Sequence, residues 1–127
     1  MKFGAIIAAR SGSRRLPGKA MLPLFGFPMI QALVKRLKTS HELSEMIFAT
    51  TQLPEDDQLA RIAEEEQIPV FRGSENNVLD RYVQAAKGRN FDYTVRVTGD
   101  CPLVNGSTLD QVLHQVRKLD SFDLVTT

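Results

Sequence analysis

Apolar residues follow two alternating patterns along the chain. Short apolar runs with little internal charge are typical of buried β-strands. Such runs lie at 2–9, 45–51, 68–71, 91–97 and 122–126. Between them, apolar residues return every three or four positions, as on one face of a helix. The predicted helices begin near Pro28, Pro54, Ser74 or Asn76, and Ser107. The pattern therefore predicts the order βαβαβαβαβ.

The third predicted helix shows how the pattern assigns side chains to faces. Its predicted inner face consists of Val78, Leu79, Tyr82, Val83 and Ala86. Asp80 and Arg81 are expected as a pair on the helix surface or as a nearby structural contact. Gly88 fits the end of this helix, where glycine readily adopts a positive φ. Earlier in the chain, residues 25–27 are expected to form a tight turn around Gly26.

The alternation of strands and helices predicts an α/β fold. Strands separated by helices cannot pair as hairpins, so they form a parallel or mostly parallel sheet with helices on both faces. Ligands of such sheets bind at the carboxyl ends of the strands. Three segments with unusual residues leave those ends, at 10–19, 72–77 and 98–106. Because the chain ends on its last predicted strand, we expect a truncated domain.

Composition and charge narrow the function classes. The chain has 127 residues, the usual size of one domain, with 43% hydrophobic and 24% charged residues. The net charge is +1, yet residues 1–40 hold eight basic residues and no acidic one. This asymmetry indicates a local anion site and argues against nucleic-acid binding, for which a basic domain is expected. No run approaches the roughly 18 apolar residues of a membrane span. With a single cysteine, the chain is expected to be cytoplasmic.

The segment that follows the first predicted strand carries half of these basic residues. Residues 10–19 contain four cations and two glycines. Arginine guanidinium groups pair with phosphate oxygens, and glycine lets the backbone approach a ligand. The spacing differs from the Walker A loop and from the three-glycine dinucleotide fingerprint. On the residues alone, the segment is either a phosphate-binding loop or a solvated basic loop.

Three spaced motifs give the chain a family resemblance. They are RSGSRRLPGK at 10–19, RGSENNVLDR at 72–81 and RVTGDCPL at 96–103. Together they resemble the sugar-activating cytidylyltransferases, such as CMP-Kdo and CMP-sialic acid synthetases, and most closely the spore coat polysaccharide biosynthesis branch. The resemblance implies a Rossmann-like nucleotidyltransferase fold. Residues 1–127 would form the N-terminal, nucleotide-binding portion of a single nucleotidyltransferase domain.

The resemblance also implies a reaction and the residues that carry it. A sugar hydroxyl would attack the α-phosphate of CTP, and pyrophosphate would leave. The implied catalytic residues are Arg10, Lys19 and Asp100, with Asp100 binding Mg²⁺. The implied nucleotide-binding residues are Ala8, Ala9, Arg10, Ser11, Gly12, Ser13, Arg15, Lys19, Arg72, Gly73 and Ser74. The segment 72–74 would face the nucleotide base. On the residues alone, Asp100 is equally a turn-forming residue, and Ser74 is equally a plain helix cap.

Relatives of this family continue well beyond 127 residues. Their later half supplies sugar contacts, dimer contacts and a second metal-binding acidic residue, so a homodimer is expected for the full-length protein. This chain alone is expected to keep the nucleotide half-site without full turnover. Two alternatives are a related sugar-nucleotide transferase that uses another nucleoside triphosphate, and a non-catalytic nucleotide-binding fragment. A flavodoxin-like signalling domain would need an acidic pocket after the first strand, where this chain has Arg10.

Overall fold

A computed structural model describes residues 2–10, 23–24, 26–73, 75–89, 91–98 and 106–119. Six strands and four helices alternate along these ranges. The strands are β1 (Phe3–Ala8), β2 (Pro23–Leu24), β3 (Phe27–Pro28), β4 (Leu43–Thr51), β5 (Val70–Gly73) and β6 (Tyr93–Thr98). The helices are α1 (Met29–Leu37), α2 (Asp57–Glu65), α3 (Val78–Ala86) and α4 (Gly106–Val116). A 3₁₀ turn, Pro54–Asp56, leads into α2.

Four of the strands form one parallel sheet in the order β5–β4–β1–β6. β1 is paired on both sides, and its last residue, Ala8, lies opposite Ala49 of β4 and Thr98 of β6. β2 and β3 form a separate two-residue antiparallel ladder. The parallel α/β prediction is confirmed. The predicted fifth parallel strand, 122–126, lies outside the described residues.

Helices cover both faces of the parallel sheet. On one face, apolar side chains of α1, α2 and α4 pack against Phe3, Ile7 and Phe48. On the other face, Tyr82 and Ala85 of α3 pack against strand residues with the opposite side-chain direction. Those residues are Ile6, Ala8, Ile47 and Ala49. Because neighbouring residues of a strand point to opposite faces, β1 contributes to both clusters. The prediction that helices cover both faces of the sheet is confirmed.

Several element boundaries differ from the prediction. The turn before α1 is confirmed, since Gly26 has φ +82° between β2 and β3. β5 continues through Arg72 and Gly73, which were expected in a loop. Ladder pairing of Arg72 with Thr50 and of Gly73 with Thr51 extends the strand. Ser107 does not cap α4 but lies inside it.

The orientation of α3 differs most. Its N-cap is Asn77, whose side-chain oxygen accepts the Asp80 N–H at 2.9 Å, in place of the expected Ser74 or Asn76. Leu79 and Val83, expected inside, are 74% and 54% exposed. Arg81, expected as part of a surface pair or as a structural contact, is buried at 3% exposure, which rules out the surface alternative. The long aliphatic stem of arginine packs like an apolar side chain, so it can occupy a helix face that turns toward a sheet.

A hydrogen-bonded cluster ties α4 to the segment between α1 and β4. The Asp110 carboxylate accepts the backbone N–H groups of His41 at 2.8 Å and Glu42 at 3.0 Å, and it also accepts the Ser40 hydroxyl. At the start of α4, Gly106 lies directly against the backbone of Ser40. The cluster fixes α4 against the face that carries α1. Within the described ranges, no helix combines the length and apolar character that a bilayer crossing needs.

Candidate nucleotide site

The strand order of the parallel sheet reverses between β1 and β6. The chain passes from β1 to β4 and β5 on one side, and then crosses to β6 on the other side of β1. Open α/β sheets bind ligands at such a reversal, at the carboxyl ends of the two strands. Residues 9–10 follow β1 directly, and Thr98 is the last residue of β6. Two of the three predicted ligand-binding segments therefore begin at the reversal.

Ala8, Ala9 and Arg10 stand at the edge where these carboxyl ends meet. Ala8 closes β1, and the Ala9 N–H donates to the Ala49 carbonyl at 3.2 Å, which extends the ordered backbone by one residue. The Arg10 side chain is 37% exposed, and its Nη1 lies 3.9 Å from Oε1 of Glu75. An exposed ion pair at this distance contributes little to stability. The Arg10 guanidinium can therefore exchange Glu75 for an anionic ligand with little loss of stability.

Arg72 is held by the protein itself. Its Nε donates to the Thr51 carbonyl at 2.7 Å, and its Nη2 donates to the Leu53 carbonyl at 2.9 Å. Its Nη1 lies 2.8 Å from Oδ1 of Asp57. These contacts join the end of β4 to the start of α2. The expected contact between Arg72 and a nucleotide base stays a prediction, and the structure shows a stabilising role for this side chain.

Arg81 is a buried arginine close to Arg10, and the sequence analysis did not count it among the site residues. Its Nε and Nη1 are buried and have no hydrogen-bond partner among the described residues. Burial lowers the pKa of Arg81, and the nearby positive charge of Arg10 lowers it further. Weaker effects of Tyr82 and Asp56 act in the opposite direction. Two guanidinium groups thus repel each other near the end of β1. The only sequence signal was the position of Arg81 inside the second motif.

Much of the predicted site lies outside the described residues. This applies to Ser11, Gly12, Ser13, Arg15, Lys19, Ser74 and Asp100. Among the residues that the structure does describe, no group of three or more His, Cys, Asp or Glu side chains is placed to hold a metal ion. The Mg²⁺ site at Asp100 stays a prediction.

Residues 4–127 match the family model described as cytidylyltransferase. The chain belongs to the cytidylyltransferase family. The family resemblance expected from the three motifs is thereby confirmed. It is also similar to the spore coat polysaccharide biosynthesis protein SpsF of Bacillus subtilis, at 37% identity over 113 residues. That alignment covers 86% of this chain and 47% of SpsF.

Solved structures of cytidylyltransferases share the fold. A cytidylyltransferase from Leptospira borgpetersenii superposes with a TM-score of 0.87 at 40% identity, covering 94% of this chain and 51% of that protein. A CMP:2-keto-3-deoxy-manno-octonic acid synthetase complexed with CTP superposes with a TM-score of 0.77 at 27% identity, covering 92% of this chain and 48% of that one. The Rossmann-like nucleotidyltransferase fold is confirmed. This cytidylyltransferase-family chain spans about half the length of the relatives it matches.

Proposed function

We propose that this chain carries the nucleotide-binding part of a CTP-dependent cytidylyltransferase of surface polysaccharide biosynthesis. The reaction transfers CMP to a sugar hydroxyl. The hydroxyl loses its proton to solvent and its oxygen forms a bond to the α-phosphorus, the bond between the α-phosphorus and the bridging oxygen breaks, and pyrophosphate leaves. The observation that carries the proposal is the position of Arg10, at the strand-order reversal of a cytidylyltransferase fold.

Arg10 has the properties that this role requires. A triphosphate carries several negative charges, and charge builds on the leaving pyrophosphate as the bond to the α-phosphorus breaks. A guanidinium stays protonated at all relevant pH values and donates several hydrogen bonds in one plane. The Arg10 side chain is accessible, and its protein partner, Glu75, is distant and itself 45% exposed.

The proposal extends to residues outside the described ranges. By the family resemblance, Lys19 contributes a second cation for the phosphates. Ser11, Gly12 and Ser13 contribute donors, with Arg15 as a further cation. Asp100 would bind Mg²⁺, which bridges phosphate oxygens in such sites. The remaining half of the relatives' length would supply the sugar acceptor contacts and the homodimer interface, so full turnover is expected only when that half is present.

A thermal-shift panel tests the proposal on the 127-residue chain. CTP, UTP, GTP and ATP are added separately, each with and without Mg²⁺. At one hundred times its dissociation constant, a ligand stabilises the folded state by about 2.7 kcal/mol, which corresponds to a shift of about 10 °C for a domain of this size. We expect the largest shift with CTP, and a strongly reduced shift in Arg10→Ala.

The matched control is Arg61→Ala, which removes an equally charged but exposed side chain from α2, away from the strand ends. This variant is expected to keep the full CTP shift. A preference for another nucleotide would reassign the chain to a different nucleotide specificity. An absent shift with every nucleotide, in a sample folded by circular dichroism, would contradict a nucleotide site in this half of the protein.

A further inference from the structure

A buried arginine lies in the first turn of α3. Arg81 is 3% exposed, and its Nε and Nη1 make no hydrogen bond to the described residues. Buried polar groups in native proteins nearly always have a partner, and a buried charge needs one most. Arg81 therefore has unused donors where water has little access.

The packing of α3 brings this arginine to the carboxyl edge of the sheet. Its Cγ lies 3.2 Å from the point where a Cβ on Gly73 would stand. Gly73 is the last residue of β5 and lies opposite Thr51, the last residue of β4. The missing side chain of Gly73 thus makes room for the arginine stem. The guanidinium is carried to the sheet edge at which Arg10 follows β1.

The charges around Arg81 favour an additional anion. Burial and the nearby positive charge of Arg10 both lower the pKa of Arg81. Tyr82 and Asp56 raise it, but not enough to offset these two effects. Asp56 is itself buried and accepts the Thr51 hydroxyl. Glu75 is paired with Arg10. Two close guanidinium groups are stabilised when an oxyanion binds both of them.

We propose that Arg81 is a second anion-binding arginine of this site, which donates to a phosphate oxygen of the bound nucleotide beside Arg10. The proposal rests on the proposed function insofar as it takes the anion to be a nucleotide phosphate. In the unliganded chain the buried charge disfavours the folded state, and the bound phosphate relieves this effect. The role differs from that of Arg72, whose donors are occupied by the protein.

Binding measurements with three probes test the proposal. Calorimetric titrations use CTP, inorganic pyrophosphate and cytidine, which lacks phosphate, on the wild type and on Arg81→Met. Methionine keeps an unbranched stem but removes the charge. We expect at least tenfold weaker binding of CTP and of pyrophosphate, an unchanged affinity for cytidine, and an unliganded melting temperature no lower than that of the wild type. Arg61→Met, which changes the net charge equally at an exposed position, is expected to bind all three probes within twofold of the wild type.

A second measurement follows the Arg81 side chain in the wild type itself. In ¹⁵N NMR spectra of the wild type, the Arg81 Nε–H signal, assigned by its loss in Arg81→Lys, is expected to shift on titration with pyrophosphate. A signal that stays in place at saturation would overturn the proposal. Affinities of Arg81→Met for CTP and pyrophosphate within twofold of the wild type, combined with a lowered melting temperature, would equally overturn it and make Arg81 a structural residue.

The probes separate this proposal from the proposed function. Arg81-dependent binding of pyrophosphate without any binding of CTP would support the anion role and contradict the cytidylyltransferase function. Normal CTP binding in Arg81→Met would contradict the anion role of Arg81 and remain compatible with the cytidylyltransferase function. Glucuronate serves as a fourth probe, because a sugar carboxylate offers the same oxyanion chemistry. An Arg81-dependent response to glucuronate alone would refute the phosphate assignment.

Discussion

Replacing Arg72 by alanine should destabilise the chain by about 3 kcal/mol. Two hydrogen bonds from the charged side chain, to the carbonyls of Thr51 and Leu53, are lost. A hydrogen bond to a charged group contributes about 1.5–3 kcal/mol net. Arg72 is 30% exposed, so water can partly replace the lost hydrogen bonds to the two carbonyls. We therefore take the lower end of that range. The ion pair with Asp57, itself 55% exposed, adds about 0–1 kcal/mol.

Urea unfolding at equilibrium measures this loss. Two further variants divide it between its causes. Asp57→Asn removes only the ion pair and should change the free energy of unfolding by less than about 1 kcal/mol. Arg72→Lys keeps the charge but loses the planar set of donors, so it should recover only part of the loss. A loss below about 1 kcal/mol in Arg72→Ala, or an equal loss in Asp57→Asn, would refute the reasoning.

The same variants test the predicted base contact. If Arg72 acts on stability alone, folded Arg72→Lys should bind CTP with the wild-type affinity under conditions where both proteins are fully folded. Weaker binding of CTP, with unchanged binding of pyrophosphate, would support the sequence-based expectation that Arg72 faces the base.

Three further predictions concern the rest of the fold. Burial alone would raise the pKa of Asp110, but hydrogen bonds from His41, Ser40 and Glu42 together lower it. The carboxylate therefore stabilises the fold above about pH 4, and this stabilisation is lost as the pH falls through the lowered pKa. Asp110→Asn should have a lower melting temperature at pH 7 and a melting temperature that depends less on pH between pH 5 and 3, and an unchanged pH profile of the melting temperature would contradict this. Gly106→Ala should destabilise the chain by about 1–3 kcal/mol, because the new methyl group meets the backbone of Ser40. A free energy of unfolding in urea within about 0.5 kcal/mol of the wild type, which is roughly the scatter of surface substitutions, would count against this. Exposed Leu79, changed to serine, should alter stability by no more than about 0.5 kcal/mol in the same assay, and a larger loss would mean that the residue is covered.

The sequence predicted the sheet well because its central strand, β1, is buried on both faces. A strand covered on both sides reads as a continuous apolar run, as residues 3–8 do, and such runs are hard to mistake when helical periods separate them. The same order gave the location of the candidate site, since parallel strands end at one edge. Arg10 was predicted as a site residue because it follows a strand directly and stands in a recognisable motif, and its role stays a prediction.

The prediction failed where apolar residues surround a helix on more than one side. In α3, Leu79 and Val83 compete with Tyr82 and Ala85 for the inner face, and periodicity alone cannot choose between them. In the folded chain, tertiary packing buries the face that contains Arg81, Tyr82 and Ala85 and leaves Leu79 and Val83 exposed. Arg72 was misplaced for a related reason. Nothing local in the sequence shows that carbonyls at the end of β4, about twenty positions earlier, occupy its donors.

The central position of β1 has a consequence for how the chain folds. β1, the first strand of the described residues, is paired on both sides, and one partner is β6, so the Lys2 N–H meets the Asp92 carboxylate across 90 positions of sequence. Closing contacts over such separations slows folding, because chain entropy is lost before the contacts form. During synthesis, β1 can pair only with β4 until β6 has left the ribosome. Of the three ladders in the described sheet, the one on the β6 side, which borders the candidate nucleotide site, is therefore completed last.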